Sequence, residues 1–169
     1  MKIDNEIKLD FDDVLIKPQR TTLESRQEVN LEREFNFYHS PKVWKGIPIM
    51  CVNMSFVSLD LATELAKHKI ITCLHKYFTV DELVDFFTDN EELLPYIWVS
   101  IGYKSEDLTK LKKLKEFDIN ICIDVPNGQI DCFVDYCREV RKNFPNAIIM
   151  AGNVVDPACT QELIIHLGS

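Results

Sequence analysis

From Gly46 onward, short apolar runs alternate with segments whose apolar residues recur at helical spacing, the pattern that repeated βα units leave in a chain. Strands are predicted at 47–52, 70–74, 96–101, 119–123 and 147–150, each the length of a strand buried on both faces. A helix is predicted over 59–67, and Thr79 with Glu82 forms a capping box ahead of another over 80–87. Ser105 can cap a helix with Leu108, Leu111 and Leu114 on one stripe. Its Lys110, Lys112, Lys113 and Lys115 lie toward the negative C-terminal end, on a solvated face. Ile130, Phe133, Val134, Cys137 and Val140 share one helical face, which predicts an amphipathic helix ending near Pro145. Asp156 as N-cap, Pro157 at the first helical position and Gly168 as a stop signal predict a last helix reaching Leu167.

Residues 46–169 number 124, about 25 for each of five units, the size of a minimal unit of an eightfold barrel. The α/β class follows, as either a (β/α)8 TIM-type barrel truncated to about five units or an open doubly wound sheet, and periodicity does not choose between them. Residues 1–45 carry no repeat and hold two short patterned stretches, 9–16 and 29–37. The expected organisation is an N-terminal arm over 1–45, lying across a partial barrel over 46–169.

The length of 169 residues allows one domain or part of a larger one. With 46% apolar and 27% charged residues, disordered, collagenous and coiled-coil chains are excluded. The net charge of −8 argues against nucleic acid and anionic membrane surfaces as partners. No apolar run approaches the ~20 residues of a membrane span, and the acidic, polar start is unlike a signal peptide, so a cytoplasmic protein is expected. Six cysteines, none in a Cys-x-x-Cys pair, read as reduced thiols, and the four scattered histidines give no metal site.

In either architecture the functional positions lie at the C-terminal ends of the strands. Five such edges are legible: Asn53-Met54-Ser55, His75-Lys76, Gly102-Tyr103, the stretch from Asp124 to Gly128, and Gly152-Asn153. Lys76 and Asp124 would converge on one mouth, where a cation and an acid can move protons or hold a polar ligand. A structural ion pair or a turn at Asn127-Gly128 explains the same spacing. No Gly-x-Gly-x-x-Gly, Walker-type phosphate loop, Gly-x-Ser-x-Gly or His-Glu-x-x-His occurs.

The stretch Leu9-Asp10-Phe11-Asp12-Asp13-Val14-Leu15-Ile16-Lys17-Pro18, then Ser25-Arg26, Pro48-Ile49-Met50, Asn53-Met54, Leu74-His75-Lys76, Ile123-Asp124-Val125, Asn127-Gly128 and Met150-Ala151-Gly152-Asn153-Val154-Val155, resembles the opening half of guanosine monophosphate reductase. Only the nineteen residues 77–95 separate Lys76 from the next strand, leaving no room for the regulatory insertion usual in the sister family, inosine monophosphate dehydrogenase. The resemblance implies a (β/α)8 barrel, a homo-oligomer, and NADPH-dependent conversion of GMP to IMP and ammonia. In that reaction a cysteine forms a thioimidate at purine C2, ammonia leaves and hydride arrives at the same carbon.

By the same resemblance Ser25 and Arg26, with Lys76, Asp124, Val125 and Pro126, are cofactor-binding residues, and Lys76 and Asp124 assist the deamination step. Ser55, Pro126 and Gln129 depart from the family's aspartate, alanine and aromatic at those positions. The family's nucleophilic cysteine loop, monovalent-cation site and GMP phosphate loops match nothing in these residues, so the chain alone is expected to be inactive. Alternatives are a non-catalytic partner of a full-length homologue, or a degenerate nucleotide-binding fragment.

Overall fold

The computed structural model describes residues 7 and 9–167, which fall into two units, 1–30 and 31–169. The stop signal at Gly168 lies outside the described residues. In the first unit, the one-turn 3₁₀ helices Phe11–Asp13 and Arg26–Glu28 are each closed by a capping box, Asp10 with Asp13 and Ser25 with Glu28. The patterned stretch 9–16 therefore contains a capped turn, because its aspartates satisfy backbone N–H groups locally.

The second unit begins with an antiparallel hairpin of β1 (Arg33–Phe37) and β2 (Ser40–Cys51). It continues as α1 (Leu59–Lys67), β3 (Ile70–Leu74), α2 (Val80–Asp89), β4 (Ile97–Ile101), α3 (Ser105–Lys112), β5 (Asn120–Asp124), α4 (Asp131–Asn143), β6 (Ile149–Gly152) and α5 (Pro157–Leu167). The strands lie in the order β1 to β6, with β2 to β6 parallel. The predicted βα alternation is present, with boundaries shifted by one or two residues in most elements. Residues 33–45, which carry no repeat, enter this unit as the hairpin. The capping box predicted for α2 forms in both directions, at 3.2 Å from Glu82 N–H to Thr79 Oγ1 and 2.7 Å from Thr79 N–H to Glu82 Oε2. In α3, Ser105 is the first helical residue; Lys104 takes the cap position, its N–H donating to Asp107 Oδ2 at 3.1 Å.

Two observations decide between barrel and open sheet. Helix residues such as Ala62, Phe87, Leu111, Phe133 and Leu163, from all five helices, pack against one face of the sheet, built from Leu74, Val99, Ile121, Ile123 and Ile149. The opposite face, with Trp44, Ile71, Cys73, Trp98, Cys122 and Ile148, forms a second apolar cluster with no residue of these five helices. A doubly wound sheet carries helices on both faces.

The sheet is also strongly curled. Asn53, just after β2, donates from Nδ2 to Asp124 Oδ2 of β5 at 2.9 Å, although β3 and β4 intervene and three flat strand spacings span about 14 Å. At the other end the Ser40 hydroxyl donates to Asn146 O at 2.6 Å, and Lys42 Nζ reaches Asn120 Oδ1 at 3.0 Å and Asp118 Oδ1 at 2.8 Å. Burial lowers the Lys42 pKa, with Asp118 opposing the shift. This is the wall of a (β/α) barrel.

Candidate functional site

Because helices cover one face of every strand, only the loops at the strand ends can present polar groups around the barrel opening. The edges predicted from the sequence all fall at the C-terminal ends of β2 to β6. The loops after β5 and β6 are joined by backbone bonds. Val125 N–H donates to Gly152 O at 2.8 Å, Asn153 N–H to Val125 O at 2.7 Å and Gly128 N–H to Asn153 O at 2.8 Å. Pro126 brings no N–H to this loop, and none of these three bonds calls on one. Gln129 N–H donates to Asn127 Oδ1 at 3.0 Å, which tightens the same turn.

Asp124 is exposed at the end of β5, its Oδ2 held by Asn53. A cavity of about 370 Å³ lies beside it, rimmed by Asn53, Asp124, Gly152 and Asn153 and floored by Met50, Cys73, Cys122 and Met150. One carboxylate oxygen is thereby fixed in direction, and the other is left to accept from a ligand.

Lys76 follows the C-terminal end of β3 and lines a different cavity. Exposed beyond β3, it holds its ammonium 5.7 Å from the centroid of the Tyr77 ring and makes no ion pair with Asp124. It lines a second cavity of about 460 Å³ with Thr79, Ser105, Lys110 and Lys113. Lys110, expected on a solvated face, is half-buried; its ammonium donates to Lys76 O at 2.9 Å and to Phe78 O, and burial lowers its pKa. The lysine thus fixes the loop that carries Lys76. Ser25 and Arg26 belong to the first unit, where Ser25 Oγ accepts from Gln27 N–H at 3.2 Å and Ser25 N–H donates to Glu28 Oε1 at 3.0 Å.

The structure therefore joins Asp124 to the Val125-Pro126 loop and to Asn53, and sets Lys76 over a neighbouring cavity. Spacing gave Asn53 no role, because its contact depends on curvature across four strands. Its place directly after a strand was the available signal.

Parallel strands in sequential order with helices on one side define a barrel wall of the (β/α)8 class. The model of the IMP dehydrogenase / GMP reductase domain matches residues 8–168. The GMP reductase of Shewanella pealeana is 44% identical over 170 residues, covering 98% of this chain and 49% of that relative. That of Onchocerca volvulus is 44% identical over 171 residues, covering 96% and 47%. Among solved structures, inosine 5' monophosphate dehydrogenase from Legionella pneumophila superimposes with a TM-score of 0.72 at 23% identity, covering 92% of this chain and 47% of that one. The chain belongs to the IMP dehydrogenase / GMP reductase family, and it spans about half the length of the curated relatives it matches.

Proposed function

We propose that this chain supplies the cofactor-binding side of an NADPH-dependent reductase that converts GMP to IMP and ammonia. The observation that carries the reading is the Asn53–Asp124 pair at the rim of an apolar-floored mouth cavity, in a chain 44% identical to GMP reductases. The cavity's chemistry suits the nicotinamide end of a dinucleotide. Met50 and Met150 offer a flat ring soft apolar contact, the free oxygen of Asp124 accepts from ribose hydroxyls, and about 370 Å³ falls in the size range of small-molecule sites.

When bound, the cofactor supplies the hydride. The chain's own residues orient and protonate. Asn53 holds the carboxylate, Lys76 offers an ammonium that can give its proton to a leaving amine, and Arg26 offers a planar fork for a cofactor phosphate, with Ser25 beside it. Lys110 anchors the Lys76 loop. Six free thiols fit a reducing, cytoplasmic setting. Among the described residues no helix is long and apolar enough to cross a membrane.

None of the six cysteines is assigned the nucleophile. Cys73, Cys122, Cys137 and Cys159 are buried, Cys51 is half-buried on the helix side, and Cys132 is in the first turn of α4. The 169 residues are thus expected to bind NADPH without consuming it. The test mixes the purified chain with the C-terminal half of the Shewanella pealeana relative and follows NADPH absorbance with GMP present. Turnover is expected only in the mixture, falling at least tenfold in Asp124→Asn, a loss in the range of one general acid–base or positioning group. Turnover by the chain alone, or an unaffected Asp124→Asn mixture, overturns the assignment. NADPH binding with no turnover in any mixture supports the non-catalytic nucleotide-binding module instead.

A further inference from the structure

We propose that the cavity between α3 and the loop after β3 takes a nucleotide phosphate, with Lys110 and Lys113 holding a phosphomonoester and Tyr77 stacking on the attached purine. The cavity, of about 460 Å³, is lined by Lys76, Tyr77 and Thr79 from the loop and by Ser105, Lys110 and Lys113 from α3 and its C-cap. Its wall carries three ammonium groups against one carboxylate, that of Glu106, in a chain whose net charge is −8. A cleft lined by one sign of charge concentrates ions of the other. Two of the four lysines expected on a solvated face therefore line a cavity.

Lys110 is the cation that the fold leaves without a counter-charge. Half-buried, it donates to the carbonyl oxygens of Lys76 and Phe78, which are neutral. None of the ion pairs among the described residues includes Lys110, Lys76 or Lys113. The carboxylates that act on Lys110 are engaged elsewhere: Glu82 accepts from Thr79 N–H at 2.7 Å, and Asp107 from Lys104 N–H at 3.1 Å. Burial outweighs both and lowers the Lys110 pKa. Buried charges are ordinarily paired. An ammonium has three donors, and with two used on carbonyls the third is available to a phosphate oxygen in the cavity that Lys110 lines.

Tyr77 supplies the other half of the recognition. It is 75% exposed, and the Lys76 ammonium is 5.7 Å from its ring centroid. An exposed ring beside cations is an arrangement on which nucleotide bases stack. Two nucleotides have this chemistry: NADPH, through its 2'-phosphate, and a free purine nucleoside monophosphate. The first rests on the cofactor reading above; the second does not.

The test is calorimetric titration of the full chain with 2',5'-ADP, 5'-AMP, inorganic phosphate, NADPH and NADH. Lys113→Gln is expected to weaken 2',5'-ADP about tenfold, as for the loss of one charge-assisted contact. Tyr77→Ala should weaken it by a similar factor without altering inorganic phosphate. Lys112→Gln, the same charge change on the same helix but outside the cavity, should bind as the parent does. The other ligands separate the two sources. If Lys113→Gln weakens NADPH and spares NADH, the occupant is the cofactor's 2'-phosphate; if it weakens 5'-AMP and spares NADPH, the occupant is a free nucleotide. Either result supports the site. Equal losses in Lys112→Gln and Lys113→Gln, no effect of Lys113→Gln, or no binding of 2',5'-ADP to the parent overturns it. So does an unchanged affinity in Tyr77→Ala. NADPH binding that is lost in Asp124→Asn but indifferent to Lys113→Gln, with 5'-AMP equally indifferent, keeps the cofactor reading and removes this site.

Discussion

At Gly128 a single Cβ decides whether the mouth can form. Built there, it would stand 2.6 Å from Asn153 O, 3.1 Å from Phe133 Cε1 and 3.2 Å from Val154 Cγ1. The carbonyl is held in place by the Gly128 N–H itself, so it cannot retreat without breaking the link between the β5 and β6 loops. Gly128→Ala is expected to cost about 1–3 kcal/mol, the handicap of an overpacked site, read as a lower urea midpoint with an unchanged slope. A neutral substitution would show that the two loops are not rigidly joined. The sequence marks Asn127-Gly128 as a turn, and Asn127 does make that turn. It does not reveal that the glycine is needed for close approach to a loop some 25 residues further along.

The elements repeat one solution: a strand with both faces buried, then a helix laid on the outer face. Between α4 and α5 this brings Cys137 and Cys159 near each other, and burial, with the neighbouring thiol adding, pushes the Cys137 pKa up to about 12. The unfolded chain ionises this thiol near its ordinary value while the folded chain keeps the proton. The folded state therefore binds more protons in that range, and its stability falls as pH rises. The contribution is complete below about pH 8.5 and is lost by about pH 12. Other buried groups shift in the same direction, Tyr136 among them, so the informative quantity is a difference. Between pH 9 and 11 the urea-derived stability of Cys137→Val should fall less steeply than the parent's, by up to about 1.4 kcal/mol per pH unit. Parallel slopes would mean that Cys137 titrates in the folded state as it does in the unfolded chain.

For the whole molecule, curvature brings distant strands together, and the strand order ends at β6. Among the described residues β6 pairs only with β5, and a groove of about 320 Å³ opens beside it, with Phe37, Trp98, Ile148 and Met150 against Leu163 and Ile164. A terminal strand of a sheet next to apolar surface can serve as a template for association. The isolated chain is expected to show a weight-average mass that rises with concentration in sedimentation equilibrium. The rise should be suppressed by adding the complementary half-barrel used in the turnover assay. A single monomeric species from micromolar to hundreds of micromolar would show that this edge is already protected.

The sequence by itself determined the five βα units, the ends of most strands and helices, the capping box of α2 and the strand-end position of Asp124, because these depend on local spacing and on neighbours within one turn. Its ordered motifs also placed the chain in its family. It left open whether the units curl or lie flat, since apolar runs buried on both faces look alike in a barrel and in a doubly wound sheet. Only the tertiary structure decided that, by putting all five helices on one face and bringing Asn53 to Asp124 across four strands. The structure also shows that Lys76 and Asp124, both at C-terminal strand ends, line different cavities, and that Cys73, Ser100 and Cys122 lie on strands β3 to β5. Which face a residue of a fully buried strand occupies, and what lies opposite it, depends on pairing between strands far apart in the chain, and that long-range term is absent from any local pattern.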